Sequence, residues 1–184
     1  MQTEDEIIKA IAKGSEQAFT TFYELYAKKV FNTALSYTKN TEEAQDITQD
    51  VFVKIYRKAT TFKGKSSVNT WVYRIVINTS LNYLDKKSRK ADSGTEIKND
   101  DVINFNHPGV ILENKENAAT LYRVIDCLIE NQKTAFILSY IEELPRQEVA
   151  DIMETSVKAV ESLLQRAKAN MRKELENLYP NRRK

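Results

Sequence analysis

Residues 62–90 read FKGKSSVNTWVYRIVINTSLNYLDKKSRK, and within them Trp71, Val72, Ile75, Val76 and Leu84 recur at the steps of one helix face. The spacing predicts a helix over 68–87 with that face turned inward. Arg74, Asn78, Asn82 and Lys86 fall four residues apart and form a second stripe, placed away from the Trp71 and Ile75 side. Cations alternating with carboxamides can meet phosphates and hydrogen-bond base edges. The loop before the helix supplies Phe62, Lys63, Gly64, Lys65, Ser66, Ser67, Val68 and Asn69. That is an aromatic ring, two lysines, a glycine for close backbone approach, and hydroxyl and amide groups, a set able to hold an unstacked base and follow its backbone. A solvated amphipathic helix behind a turn has the same pattern, and Trp71 suits a core position better than a stacking platform.

Outward from this block the pattern stays helical. Only four glycines and three prolines punctuate 184 residues, and between them the apolar side chains keep helical spacing. Towards the N-terminus a short helix is expected over 4–13, with Gly14 as its stop and Ser15 as the cap of the next. That next helix runs to about residue 38, with Phe19, Phe22, Tyr23, Tyr26, Val30, Ala34 and Tyr37 on one face. Asn40 and Glu43 have capping-box spacing and open a third helix to about residue 58, with Ala44, Ile47, Val51 and Ile55 inward. Residues 89–112 lack periodicity and read as a linker. Helical segments follow over 118–129, 132–141, 146–153 and 157–178. The expectation is an all-α chain of two small helical domains, 1–89 and 116–184, joined by a flexible linker over 90–115.

Composition limits the function classes. No apolar run approaches the roughly 18–20 residues of a membrane span, and the start, MQTEDEIIKA, lacks the basic and apolar regions of a signal peptide. One cysteine, Cys127, rules out an internal disulfide framework and is read as a small core residue; one histidine, His107, leaves too few ligands for a zinc site. Asp100, Asp101 and His107 share a solvated polar stretch without preorganised partners, so neither a metal, a cofactor nor an enzymatic site is expected. A reducing cytoplasm is the expected compartment. The net charge of +2 resolves along the chain into -4 over 1–50, +9 over 51–90, -8 over 91–157 and +5 over 158–184. Each basic block is a candidate surface for a polyanion, or a solvated helix face. The acidic block, including Asp100, Asp101, Glu113 and Glu116, is a candidate shield for one of them.

The second basic block begins within RQEVADIMETSVKAVESLLQRAK, residues 146–168. Two short amphipathic helices around a tight turn are the layout of a helix-turn-helix, whose second helix enters the DNA major groove. Ala150 is the small residue at the crossing; Val149 and Met153, with Val160, Leu163 and Leu164, are the shared core, and Ser156 caps the second helix. Lys158, Glu161, Ser162, Gln165, Arg166 and Lys168 are then left to face DNA. The turn position that favours glycine carries Glu154, which requires a left-handed backbone or a variant turn. A plain helical hairpin satisfies the same pattern.

FKGKSSVNTWVYRIVINTSLNYL resembles region 2 of the extracytoplasmic-function (ECF) sigma factors, in which a phenylalanine-basic-glycine loop, a Thr-Trp pair, and Tyr-Arg-Ile followed by Asn-Thr recur in that order. EEAQDITQDVFVKIYRK resembles the preceding region-2 helix, and LPRQEVADIMETSVKAVESLLQRAK resembles region 4. The resemblance runs from about residue 16 to residue 175. It implies a factor that directs core RNA polymerase to promoters, not an enzyme. It further implies that Asp46, Gln49, Asp50, Lys54 and Arg57 meet the polymerase. Lys63 and Lys65 would hold phosphates of the melted -10 element, and Gly64 and residues 66–69 would line a base pocket. Asn78 and Asn82 would lie along the same strand, with Phe62, Arg74 and Lys86 beside them. Residues 156–168 would meet the duplex -35 element through Ser156 and the polar side chains named above. Val68 stands where the family often has an aromatic, and Leu163 where it often has arginine. Arg74 alternatively reads as a buried structural residue. Members are commonly held by an anti-sigma factor, but no residue here identifies one. The rival readings are a stand-alone helix-turn-helix regulator that binds duplex operators unaided and an RNA-binding adaptor.

Overall fold

The structure, a computed structural model, describes residues 3–92 and 115–180, with side chains described for 3–91 and 120–180. Among the described residues every regular element is helical. They form two compact units, one within residues 1–104 and one within 105–184. The expected linker falls almost entirely on 93–114, outside the described residues, as do Asp100, Asp101, His107 and Glu113; the side chain of Glu116 is likewise outside them.

In the first unit, α1 (Glu4–Ala12) opens on a reciprocal capping box in which Glu6 N–H donates to Thr3 Oγ1 at 3.3 Å and Thr3 N–H to the Glu6 carboxylate at 2.8 Å. It ends at Gly14, whose φ of +87° lets Ser15 N–H reach back to the Ala10 carbonyl at 3.1 Å. Ser15 then caps α2 (Glu16–Thr38) by accepting from Ala18 N–H. Phe22, Tyr26, Val30, Ala34 and Tyr37 are buried along α2, whereas Tyr23 is exposed, leaning on Phe52 at the rim of the core with 4.6 Å between rings.

Helix α3 (Thr41–Lys58) buries Ala44, Ile47, Val51 and Ile55. Only half of the expected capping box forms. Asn40 accepts from Glu43 N–H at 3.0 Å, but the Glu43 carboxylate instead takes Lys87 Nζ at 2.7 Å, and the Asn40 N–H turns to Thr38 Oγ1. A tertiary ion pair stands in place of the local hydrogen bond, because α4 passes within reach. Helix α4 (Val68–Asp92) packs on α2 and α3 through Val68, Val72, Ile75 and Val76.

In the second unit, α5 (Lys115–Asp126) and α6 (Glu130–Phe136) precede a π-turn, Ile137–Ile141, and then α7 (Arg146–Ile152) and α8 (Val157–Leu178). Tyr122, Ile125, Leu138, Val149, Val160 and Leu164 are buried among them. Cys127 is exposed, not a core residue; its thiol lies 3.6 Å from the Arg123 carbonyl, while Ile125 and Leu128 take the inward positions beside it. Ala150 is fully buried where α7 meets α8. The turn accommodates Glu154 on a left-handed backbone: its φ is +54°, Thr155 N–H reaches the Ala150 carbonyl at 2.9 Å, and Glu154 N–H points to the Asp151 carbonyl at 3.3 Å. This is the closure used at Gly14, built here on a residue with a Cβ, at a cost of about 1–2 kcal/mol. Glu154→Gly is therefore expected to raise the thermal midpoint of the second unit by the equivalent of about 1 kcal/mol. A calorimetric midpoint that stays or falls would show that contacts of the glutamate outweigh its backbone strain.

Candidate nucleic-acid interface

A 3₁₀ turn, Ala59–Thr61, delivers the chain from α3 into the 62–67 loop. Phe62 does not stand free for stacking. It is half-buried against the core, its ring 5.1 Å from that of Trp71 at 51°. Lys63, Gly64 and Lys65 are exposed at the tip. Gly64 has φ +65°, and a Cβ built there would meet nothing within 4 Å. The glycine is thus required by the sign of its backbone angle, with open space on that side. Ser66 is half-buried, and Ser67 caps α4 by accepting from Thr70 N–H at 3.0 Å.

Val68 is corrected as a DNA-contacting residue: at 1% exposure its side chain belongs to the core. Asn69 is anchored from a distance. Its Oδ1 accepts from Lys29 Nζ at 2.6 Å, and that ammonium lies 5.2 Å from the Tyr26 ring centre and 5.5 Å from that of Tyr73. No local pattern marks Lys29, which is 40 residues away in the chain.

The stripe on α4 opens into a groove of about 260 Å³ against α3. Arg74, Asn78 and Asn82 line it from α4, and Lys54 and Lys58 from α3. Trp71 and Ile75 line the same groove, which corrects their expected place on the opposite side. Positions 71, 75, 78 and 82 differ by four, three and four residues and so share one ridge. Lys54, expected at the polymerase surface, turns into the groove, donating to Thr79 Oγ1 at 3.1 Å and pairing with Asp50 at 2.8 Å. Lys58 joins the groove without any signal in the sequence pattern. Lys86 is exposed further along α4.

Asp46, Gln49, Asp50 and Arg57 are exposed on α3. Apolar groups accompany them: Tyr23, Val53 and Tyr56 are each nearly half exposed, and Phe19 supports Tyr56 edge to face at 5.4 Å. Exposed large side chains of this kind, mixed with charge, are the composition of a protein-binding surface.

On the second unit Ser156 is committed to capping, accepting from Ala159 N–H at 3.2 Å. Lys158, Glu161, Gln165, Arg166 and Lys168 are exposed on α8, and Ser162 and Leu163 are half-buried. Arg166 donates to Ser162 Oγ at 2.8 Å, one turn away. Lys168 sits 4.8 Å from the ring centre of Tyr140, and its hydrogen bond holds that phenol below the usual tyrosine range.

The Lys29 anchor is testable. Lys29→Met keeps the aliphatic stem and removes the ammonium. Amide hydrogen exchange across 62–70 is expected to speed up by about tenfold, with the urea midpoint nearly unchanged. Unaltered exchange would show that the Lys29–Asn69 hydrogen bond does not restrain the loop.

Residues 22–90 match the family model of sigma-70 region 2, and residues 118–171 that of sigma-70 region 4. The chain is 29% identical over 185 residues to the RNA polymerase sigma-H factor of Pseudomonas aeruginosa, covering 96% of both. It is 30% identical over 175 residues to the ECF RNA polymerase sigma-E factor of Escherichia coli K12, covering 90% of this chain and 91% of that protein. Among solved structures, its fold is similar to that of CnrH in complex with the cytosolic domain of CnrY, with a TM-score of 0.69 at 19% identity over 95% of this chain and 97% of that one. It is also similar to the sigma factor RpoE in complex with the anti-sigma factor NepR from Bartonella quintana, with a TM-score of 0.65 at 19% identity over 90% and 98%. With region 2 matched on α2–α4 and region 4 on α5–α8, the chain belongs to the extracytoplasmic-function sigma factors of the sigma-70 family, the factors that direct RNA polymerase to promoters.

Proposed function

We propose that the first unit receives the melted strand of the -10 element and the second docks on the duplex -35 element. The observation that carries this reading is the α3–α4 groove. Three cations (Lys54, Lys58 and Arg74) and two carboxamides (Asn78 and Asn82) line one groove, and the exposed Lys63–Lys65 tip belongs to the loop that joins its two helices. In a duplex the bases are stacked and paired, whereas a single strand presents phosphates and unstacked base edges to the same side chains. Lys63 and Lys65 meet phosphates, the 64–69 loop backbone with Ser66 and Asn69 surrounds an extruded base, and Asn78 and Asn82 hydrogen-bond along the strand. On α8, Lys158, Glu161, Ser162 and Gln165 face base edges, and Arg166 and Lys168 face phosphates.

Magnitudes fix the division of labour. Unstacking costs a few kcal/mol per step, and a captured base returns about 1–3 kcal/mol. The chain alone therefore does not open a duplex; it biases an opening that polymerase makes accessible. Catalysis stays with the polymerase, and the chain acts by binding. The α3 face with Asp46, Gln49, Asp50 and Arg57, together with Tyr23, Val53 and Tyr56, serves the polymerase. An anti-sigma factor is a further partner of the proposal, as the similar RpoE structure was solved with one. Work on core polymerase would be done in the cytoplasm; separately, no helix of the described residues is long and apolar enough to cross a membrane. A stand-alone duplex-binding regulator has no use for the groove.

In vitro transcription with core polymerase on a promoter library is expected to yield initiation at paired -10 and -35 elements, and no initiation with a cognate core sinks the reading. Asn78→Ala is expected to lower open-complex formation about tenfold with core binding unchanged. A Lys63→Ala, Lys65→Ala double variant should also flatten the salt dependence of single-strand binding, by about 0.7 for each phosphate it no longer neutralises. Equal losses in core binding and opening would place these residues outside the strand path.

A further inference from the structure

The π-turn Ile137–Ile141 carries Tyr140 out of the second unit's core: the ring is 37% exposed and rests on Phe136 with 4.9 Å between ring centres. Two cations from different helices converge on it. Arg146, the first residue of α7, lies 5.1 Å from the ring centre and donates from Nη2 to the phenol oxygen at 3.2 Å. Lys168, on α8, lies 4.8 Å from the same ring centre. Neither cation has a carboxylate partner among the described residues. Glu161, Gln165 and Lys168 follow one another at four and three residues, so Lys168 stands on the ridge that carries the candidate base-reading side chains.

Like charges from separate helices repel unless something holds them or an anion lies between them. The Tyr140 ring does the holding, through its π face and its hydroxyl. We infer that Arg146 and Lys168, positioned by Tyr140, form a clamp for one backbone phosphate of duplex DNA at the flank of the α8 contacts. Arginine offers a planar fork and lysine a point charge, which together match two non-bridging oxygens of a phosphodiester. The depressed phenol of Tyr140 reports the same positive potential, set first by the Lys168 hydrogen bond and then by the charges of Lys168 and Arg146. The clamp rests on the reading that α8 meets duplex DNA. Within it, Tyr140 is a positioning residue and Arg146 an added phosphate contact.

The test is binding of the full chain to a labelled mixed-sequence duplex over a salt series. Arg146→Gln is expected to weaken binding to all sequences alike and to reduce the slope of log affinity against log salt by about 0.9. Tyr140→Leu should weaken binding several-fold, and this loss should vanish when Arg146 and Lys168 are both already glutamine. Tyr140→Phe, which keeps the packing, should give a smaller loss and carries the test if the leucine variant does not fold. An unchanged slope in Arg146→Gln, or a Tyr140 effect of equal size with and without the two cations, overturns the clamp. If the underlying reading fails instead, wild type with core polymerase selects no duplex element, while the difference in salt slope between wild type and Arg146→Gln persists.

Discussion

The burial of Val68, Val72, Ile75 and Val76 of α4 against α2 and α3 is the contact on which the candidate interface depends. At about 25 cal/mol per Å² of apolar surface, each fully buried branched side chain contributes about 1.5–3 kcal/mol. Four of them set the rotation of α4 about its axis against any competing arrangement. Once that rotation is set, the ridge through Trp71, Arg74, Asn78 and Asn82 has to border α3, and Lys54 and Lys58 are brought to it. The loop is held at its start by the packing of Phe62 on Trp71 and at its end by the Ser67 cap and the Lys29–Asn69 hydrogen bond. Its lysines remain exposed between these restraints, where a strand can find them.

Charge is partitioned to match. The +9 of residues 51–90 is not spread evenly in space, for Lys87 is neutralised by Glu43, whereas Lys63 and Lys65 face solvent and Arg74 lines the groove. Of the +5 of residues 158–184, the separate second unit carries +2 along α8, from Lys158, Arg166, Lys168, Arg172 and Lys173 against Glu161, Glu174 and Glu176, while Arg182, Arg183 and Lys184 fall outside the described residues. Two candidate polyanion surfaces on separate units would suit the two promoter elements of the proposal, one melted and one duplex, and would give the avidity of a tethered pair.

Helical class, the sequence of helices and the inward stripes of α2 and α3 are legible in the sequence, because periodicity reports burial directly. Gly14 and Ser15 act as stop and cap because both are local devices. What the sequence does not show is tertiary reach. The Glu43 carboxylate leaves its own helix end for Lys87, Lys29 anchors Asn69, and Lys54 turns from an outer face into a groove. Val68 shows the converse: a position assigned to the loop by its composition and by the resemblance proves to be the first core residue of α4. At Glu154 residue type and turn conflict openly in the sequence, and the packing of α7 on α8 decides for the left-handed backbone. Tyr140 carries no periodic signal at all, since a π-turn breaks the count that pattern reading relies on.

The claim that the α3–α4 groove captures an opened strand is tested most directly by permanganate reactivity of promoter thymines in complexes of this chain with core polymerase. The expected result is reactive, unpaired thymines around the -10 element when chain and polymerase are both present, and greatly reduced reactivity when Asn78 and Asn82 are both alanine. Unreactive thymines in a complex that still binds the promoter, or full reactivity in the double variant, contradicts it.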